Sequence, residues 1–142
     1  MSIEHTNQPP LRLIVAGGRD FTNYAVLCTV LQAWLLQRGH ERVIIISGHA
    51  RGADALGERF AREQGHDLEI YPADWESFGK RAGLIRNSQM VAIADAAVAF
   101  WDVASHGTLD TIQKMQAAGK DVTVYSYAGE RMPPVSSAGG CL

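Results

Sequence analysis

A chain of 142 residues, 46% hydrophobic and 20% charged, is suited to one ordinary globular domain, which excludes an extended disordered protein. Its formal charge of −2 supplies no overall basic field of the kind that holds proteins to long nucleic acids without sequence preference. The two cysteines, Cys28 and Cys141, are too few for a disulfide framework and stand at no metal-ligand spacing, and no apolar run nears the ~18 residues of a membrane span. The polar start MSIEHTNQPP lacks an apolar leader segment, so a cytoplasmic protein without membrane attachment is expected.

Along the chain, apolar runs alternate with amphipathic stretches, the pattern of a mostly parallel sheet covered by helices on both faces. Residues 12–16 read as a first buried strand ending in Gly17-Gly18. Over 23–38 a helical stripe recurs at Leu27, Val30, Leu31, Trp34 and Leu35, with Gly39 placed as a C-terminal cap. Residues 43–46 are wholly apolar and β-branched, a central strand. A helix over 53–64 turns Leu56, Phe60 and Ala61 inward and closes at Gly65, and 68–71 form a strand that Pro72 stops. Residues 79–94 read as a loop and then a helix, 96–101 as a strand, 108–118 as a helix ended by Gly119, and 122–125 as a strand. The fold expected is an α/β, Rossmann-like three-layer domain over 12–127, flanked by flexible ends at 1–11 and 128–142. Strand order is not legible at this level.

In such sheets ligands bind outside the carboxyl ends of the strands, where strand-to-helix loops converge. The first loop, AGGRDF, pairs Gly17 and Gly18, which allow close backbone approach, with Arg19, whose planar fork suits phosphate. The second, SGHARGAD, sets Ser47, Gly48, Arg51 and Gly52 before a helix whose N–H groups favour an anion. Asp54, in that helix's first turn, serves either the ligand or the helix dipole. The third, over 71–87, reads as a long connection without structure of its own, carrying Asp74, Trp75, Lys80, Arg81, Arg86 and Asn87. Trp75 is placed either to stack on a base or to pack over the sheet edge. The fourth, WDVASHGTLDT, brings Ser105, Gly107 and Thr108 to a helix start, with His106 between them.

The ordered string RLIVAGGRDF, ISGHARGADAL, YPADW, GKRAGLIRNSQM, ADAAVAFWD, SHGT and GKDV resembles the SLOG superfamily, within it the YspA-like, cpYpsA-related group of small bacterial and phage proteins, over about residues 12–126. Two relatives share parts of it. The DNA-processing protein DprA, which binds single-stranded DNA, has loops similar to Ser47, Gly48, Arg51, Gly52 and Asp54, then Arg86 and Asn87, then Gly107, Leu109 and Thr111. The LOG phosphoribohydrolases, which cleave the N-glycosidic bond of nucleoside monophosphates, have an arginine matching Arg86 and a GT pair matching Gly107 and Thr108. Their PGG is Ala104, Ser105 and His106 here, and the position of their catalytic glutamate is Thr111. A hydroxyl does not replace a carboxylate in stabilising an oxocarbenium-like transition state. Asp110 stands beside it, turned ~100° away along a helix.

The resemblance implies a nucleotide or nucleotide-derivative site, with phosphate on residues 17–19, 47–52 and 105–108 and charge from Arg19, Arg51, Lys80 and Arg86. Asp54 or Asp74 is expected on a ribose hydroxyl, and a glycosidic cleavage would draw its carboxylate from Asp54, Asp74 or Glu58, with Arg86 beside it. Turnover, sensing without turnover, and single-strand binding remain as alternatives. Self-association is expected from the relatives. No metal or separate cofactor is called for.

Overall fold

Five strands, β1 (Leu11–Gly17), β2 (Val43–Ser47), β3 (Asp67–Ile70), β4 (Ala96–Phe100) and β5 (Asp121–Tyr125), make one sheet in the order β3-β2-β1-β4-β5. Every neighbouring pair is parallel, with Leu13 opposite Ala96 and Leu11 opposite Val43. The computed structural model describes residues 8–133, and the expected ends at 1–7 and 134–142, Cys141 among them, lie outside the described residues. Five helices connect the strands: α1 (Tyr24–Arg38), α2 (Ala53–Gln64), α3 (Trp75–Phe78), α4 (Ala82–Ile93) and α5 (His106–Ala117).

The three layers follow from the two-residue period of a strand. Leu11, Leu13 and Val15 of β1 face Leu27, Leu31 and Trp34 of α1 and Phe60 of α2. The alternate residues Ile14 and Ala16 face Met90 and Val91 of α4 and Met115 of α5. Strands covered on both faces have no polar side to alternate with, so β2 and β4 are buried at every position. Between β1 and β4 the connections leave for opposite faces, to α1 and to α5. The strand order reverses there, and the reversal opens a crevice at the carboxyl edge. Among the described residues no helix is long and apolar enough to cross a membrane.

Three details differ from the sequence expectation. The stretch 71–81 holds α3, whose first turn is capped by Asp74 Oδ1 accepting from the Ser77 N–H at 3.1 Å, and then a 3-10 turn, Gly79–Arg81. Arg86 and Asn87 therefore stand on a helix and not in a loop. The helix α5 begins at His106, two residues early, because Ser105 is its cap: its Oγ accepts from the Thr108 N–H at 3.4 Å. The segment read as a tail from 128 starts as a turn that returns along β5, where Arg131 bridges Tyr125 and the Met132 N–H donates to the Val124 carbonyl at 2.8 Å.

Candidate functional site

The loop after β1 is held by its last residue. Phe21 is buried and stacks on Phe100 at 4.7 Å between ring centroids, with the Tyr127 ring tilted against it at 5.0 Å. The Tyr127 hydroxyl donates to Asp20 Oδ1 at 2.5 Å. Between these anchors the Gly18 carbonyl accepts from Phe21 and from Ala53, both at 3.2 Å, which ties the loop to the start of α2. Gly52, at φ +75°, is what permits this: a Cβ there would run into the Gly18 carbonyl and the Arg19 backbone. At Gly17 a Cβ would stand 2.5 Å from the Phe100 carbonyl oxygen and 2.7 Å from the Ala53 Cβ. These glycines let two loops pack backbone to backbone.

A cavity of about 360 Å³ opens above that junction. Gly17, Gly18 and Arg19 line it from the first loop, Asp54 from α2, Arg86 and Asn87 from α4, and Ser105, Gly107 and Thr108 from the start of α5. Gly107 is unlike the other glycines here, since a Cβ on it would meet nothing within 4 Å. Gly107 thus leaves the backbone of the α5 first turn uncovered by a side chain where it lines the cavity, while the Thr108 N–H is taken by the Ser105 cap.

The charged groups hold one another in place. Arg86 is half-buried; its Nη1 donates to the Gly48 carbonyl and its Nε to Asn87 Oδ1 at 2.9 Å. Burial lowers the guanidinium's pKa while the nearby Asp54 charge opposes that shift. Asn87 Nδ2 donates to the Gly107 carbonyl at 3.3 Å and to Asp110 Oδ2 at 3.1 Å, so α4 positions the first turn of α5. Asp54 is buried, and one oxygen accepts from the Ala50 N–H at 3.2 Å. Burial pushes its carboxyl up to about 6, against the pull of the Ala50 N–H, Arg86 and Arg19. A carboxyl that exchanges its proton near neutrality, beside two guanidiniums, is able to donate or accept toward a ligand hydroxyl.

A second cavity of about 380 Å³ shares Arg19, Ala50 and Arg86 with the first and adds Gly48, His49, Arg51, Pro72, Ala73 and Trp75. Arg51 thus faces this cavity and not the first. Trp75 lines this cavity with 51% of its surface exposed.

The remaining expected site residues stand elsewhere. Ser47 is fully buried; its Oγ accepts from the His49 N–H at 3.0 Å and donates to Glu58 Oε2 at 2.7 Å, supporting the second loop from below. Gly52 lies between the loops. Asp74 caps α3, and Lys80 is exposed on the 3-10 turn; neither lines either of these two cavities. Arg81 and His106 are likewise exposed. Of the three carboxylates weighed for catalysis, Asp54 alone lines either of these two cavities, and Glu58 is buried against Ser47 and His49. Thr111 lines the first cavity at the position of the relatives' glutamate, while Asp110 pairs with Lys114 at 2.8 Å. Asp20, Ala50, Met90 and His49 also line these spaces without having been singled out. Met90 had a signal, standing four residues after Arg86 on the same helical face.

Comparison with known proteins agrees with the fold. Residues 11–78 match the model of the YspA, cpYpsA-related SLOG family. The chain is 36% identical over 114 residues to the gene 61 protein of Mycobacterium phage D29, covering 76% of this chain and 90% of that one. Among solved structures it is similar to DNA processing protein A (DprA) from Streptococcus pneumoniae, with a TM-score of 0.60 and 18% identity over 82% of this chain and 50% of that one. The same protein from Helicobacter pylori, which binds single-stranded DNA, gives a TM-score of 0.56 and 21% identity over 82% of this chain and 65% of that one. The chain therefore spans half to two-thirds of those two proteins, and at these identities the likeness is one of fold. With a parallel five-stranded sheet, a phage relative covered over most of its length and a family match through the first two site loops, the chain belongs to the YspA, cpYpsA-related SLOG family.

Proposed function

We propose that this chain binds a nucleoside phosphate, or a derivative of one, in the first cavity. The observation that carries the reading is the convergence there of Arg19, Arg86, the open first turn of α5 at Gly107 and the buried carboxyl of Asp54. The phosphate sits over the α5 amides between the two guanidiniums, and Asp54 hydrogen-bonds a sugar hydroxyl. A volume of about 360 Å³ is within the range of small-molecule sites.

Titration calorimetry and thermal unfolding against a panel of nucleoside mono- and diphosphates test this. A ligand raises the melting temperature, and Arg86→Ala weakens its binding by about 1.5–3 kcal/mol, the scale of a charge-assisted hydrogen bond. If no member of the panel stabilises the protein, or if Arg86→Ala binds like the parent, the site is wrongly assigned. Whether the bound compound turns over is read in the same tubes. Hydrolysis of the N-glycosidic bond releases free base, and Asp54→Ala stops release while binding persists; a sensor returns its ligand intact.

Single-strand binding is the second reading, favoured by the exposed Trp75 beside Arg51 and by the fold shared with the Helicobacter pylori protein. Affinity for an oligonucleotide that falls steeply with salt supports it, and flat salt dependence rejects it.

A further inference from the structure

Asp20 brings to the first cavity a carboxylate, the wrong sign for the anion proposed there. Its loop divides its two charges between opposite ends of that space. Arg19 lines both cavities beside Arg86, on the side of the residues that follow β2. Asp20 bonds instead to Tyr127, which follows β5, and the strand order puts β2 and β5 on opposite sides of β1. Among the described residues Asp20 makes no ion pair, and Tyr127 is the one side chain that bonds to it. That hydroxyl donates to Oδ1, and Oδ2 is left to the cavity.

The turn after β5 fixes the tyrosine. Ser126 Oγ accepts from the Ala128 and Glu130 N–H groups, both at 3.2 Å. Gly129, at φ +86°, lies so close to α1 that a Cβ would stand 3.0 Å from Val26 Cγ1. The Tyr127 ring rests on Phe21, and a Cβ at Gly18 would run into its hydroxyl, so the side chain closes directly on the first loop. Burial, then the carboxylates of Asp20 and Asp102, push that hydroxyl above its ordinary value, so it stays protonated and donates. Asp102, whose Oδ1 accepts from the Ala104 and Ser105 N–H groups, also makes no ion pair among the described residues. The rim at Tyr127 is therefore negative, while Arg19 and Arg86 make the other end positive.

A carboxylate facing a space that draws anions opposes them unless it meets a part of the ligand that donates. A free sugar hydroxyl is such a part. A second phosphate is the opposite, and like charges set face to face are a means of refusing the wrong ligand. Each internal position of a nucleic-acid strand carries phosphate on both sides of its sugar. We propose that Asp20, positioned by Tyr127, restricts the first cavity to a nucleotide phosphorylated at one end only: its Oδ2 accepts from the free 3′-hydroxyl and turns away a phosphate at that place. This rests on the first-cavity reading, in which Asp54 takes a sugar hydroxyl, and narrows it to a single 5′-nucleotide as opposed to a stretch of strand.

The test is calorimetry on the whole chain with the common ribonucleoside 5′-monophosphates, each against its 3′,5′-bisphosphate. The parent binds a monophosphate about tenfold or more tightly than the matching bisphosphate. In Asp20→Asn, a change at an exposed position that keeps the side chain's shape, the ratio falls to near one or reverses. Tyr127→Phe keeps its ring on Phe21 and moves the ratio the same way, whereas lost packing alone would weaken both compounds together. Arg86→Ala weakens both and leaves the ratio as it was. A ratio near one in the parent, or one unchanged in Asp20→Asn, overturns the proposal and leaves the first-cavity reading standing, because the monophosphate still binds. A ratio that Tyr127→Phe does not move overturns the positioning by Tyr127. If no compound of any pair binds, both readings fall.

Discussion

Replacing Asp54 by asparagine is expected to stabilise the unliganded protein at neutral pH, although it removes a group central to the site. Burial raises the folded-state carboxyl from 3.8 to about 6. The folded protein thus binds this proton more tightly than the unfolded chain does, and rising pH favours unfolding through it. The stability linked to the proton is fully present below 3.8 and is lost as pH rises through about 6. A displacement of that size corresponds to about 3 kcal/mol. Asparagine keeps an oxygen for the Ala50 N–H and carries no charge, so it resembles the protonated acid at every pH. Urea unfolding of both proteins from pH 3.5 to 8 gives the difference directly. It should be small at the acid end, grow in favour of Asp54→Asn through the middle of the range, and level off above pH 7. A difference that is constant with pH, or that grows in favour of the parent, refutes the claim that Asp54 is held ionised at a cost to the fold. The same variant should bind the nucleoside phosphate more weakly, which would place the cost where a ligand recovers it.

Three further substitutions separate packing from binding. Gly107→Ala should leave the fold unharmed, or steady α5 by about 0.5–1 kcal/mol because alanine is the better helix residue, yet lower ligand affinity by covering the open turn; circular dichroism melts and calorimetry read the two effects. Gly52→Ala should cost about 2 kcal/mol or more in a urea titration, since its φ of +75° and the Gly18 carbonyl leave a Cβ no space. Asn87→Ala should cost about 1–3 kcal/mol by losing its bonds to Gly107 and Asp110, and amide exchange should quicken in the first turn of α5 more than in α1.

Much of the architecture was legible because it is written in local periodicity. Wholly apolar β-branched runs such as 43–46 have one use, as strands buried on both faces, and the stripe from Leu27 to Leu35 has one period. Glycines directly after strands marked the carboxyl edge as the candidate site, and Arg19, Arg86 and Gly107 line one cavity there. The strand order was not legible, because it depends on which runs pair across separations from 23 residues (Ile44 with Asp67) to 83 (Leu13 with Ala96). That order decides which loops share a cavity. With β1 beside β4, the first and fourth loops face each other across the crevice, while Arg51 turns to a neighbouring space and Asp74 is spent on capping α3. The inward turn of Ser47 and the grip of Glu58 on His49 likewise depend on how β2 lies against α2. Residue type alone set what each side chain was able to do. Its neighbours in space, brought together by strand pairing and helix packing, decided which of those abilities is used.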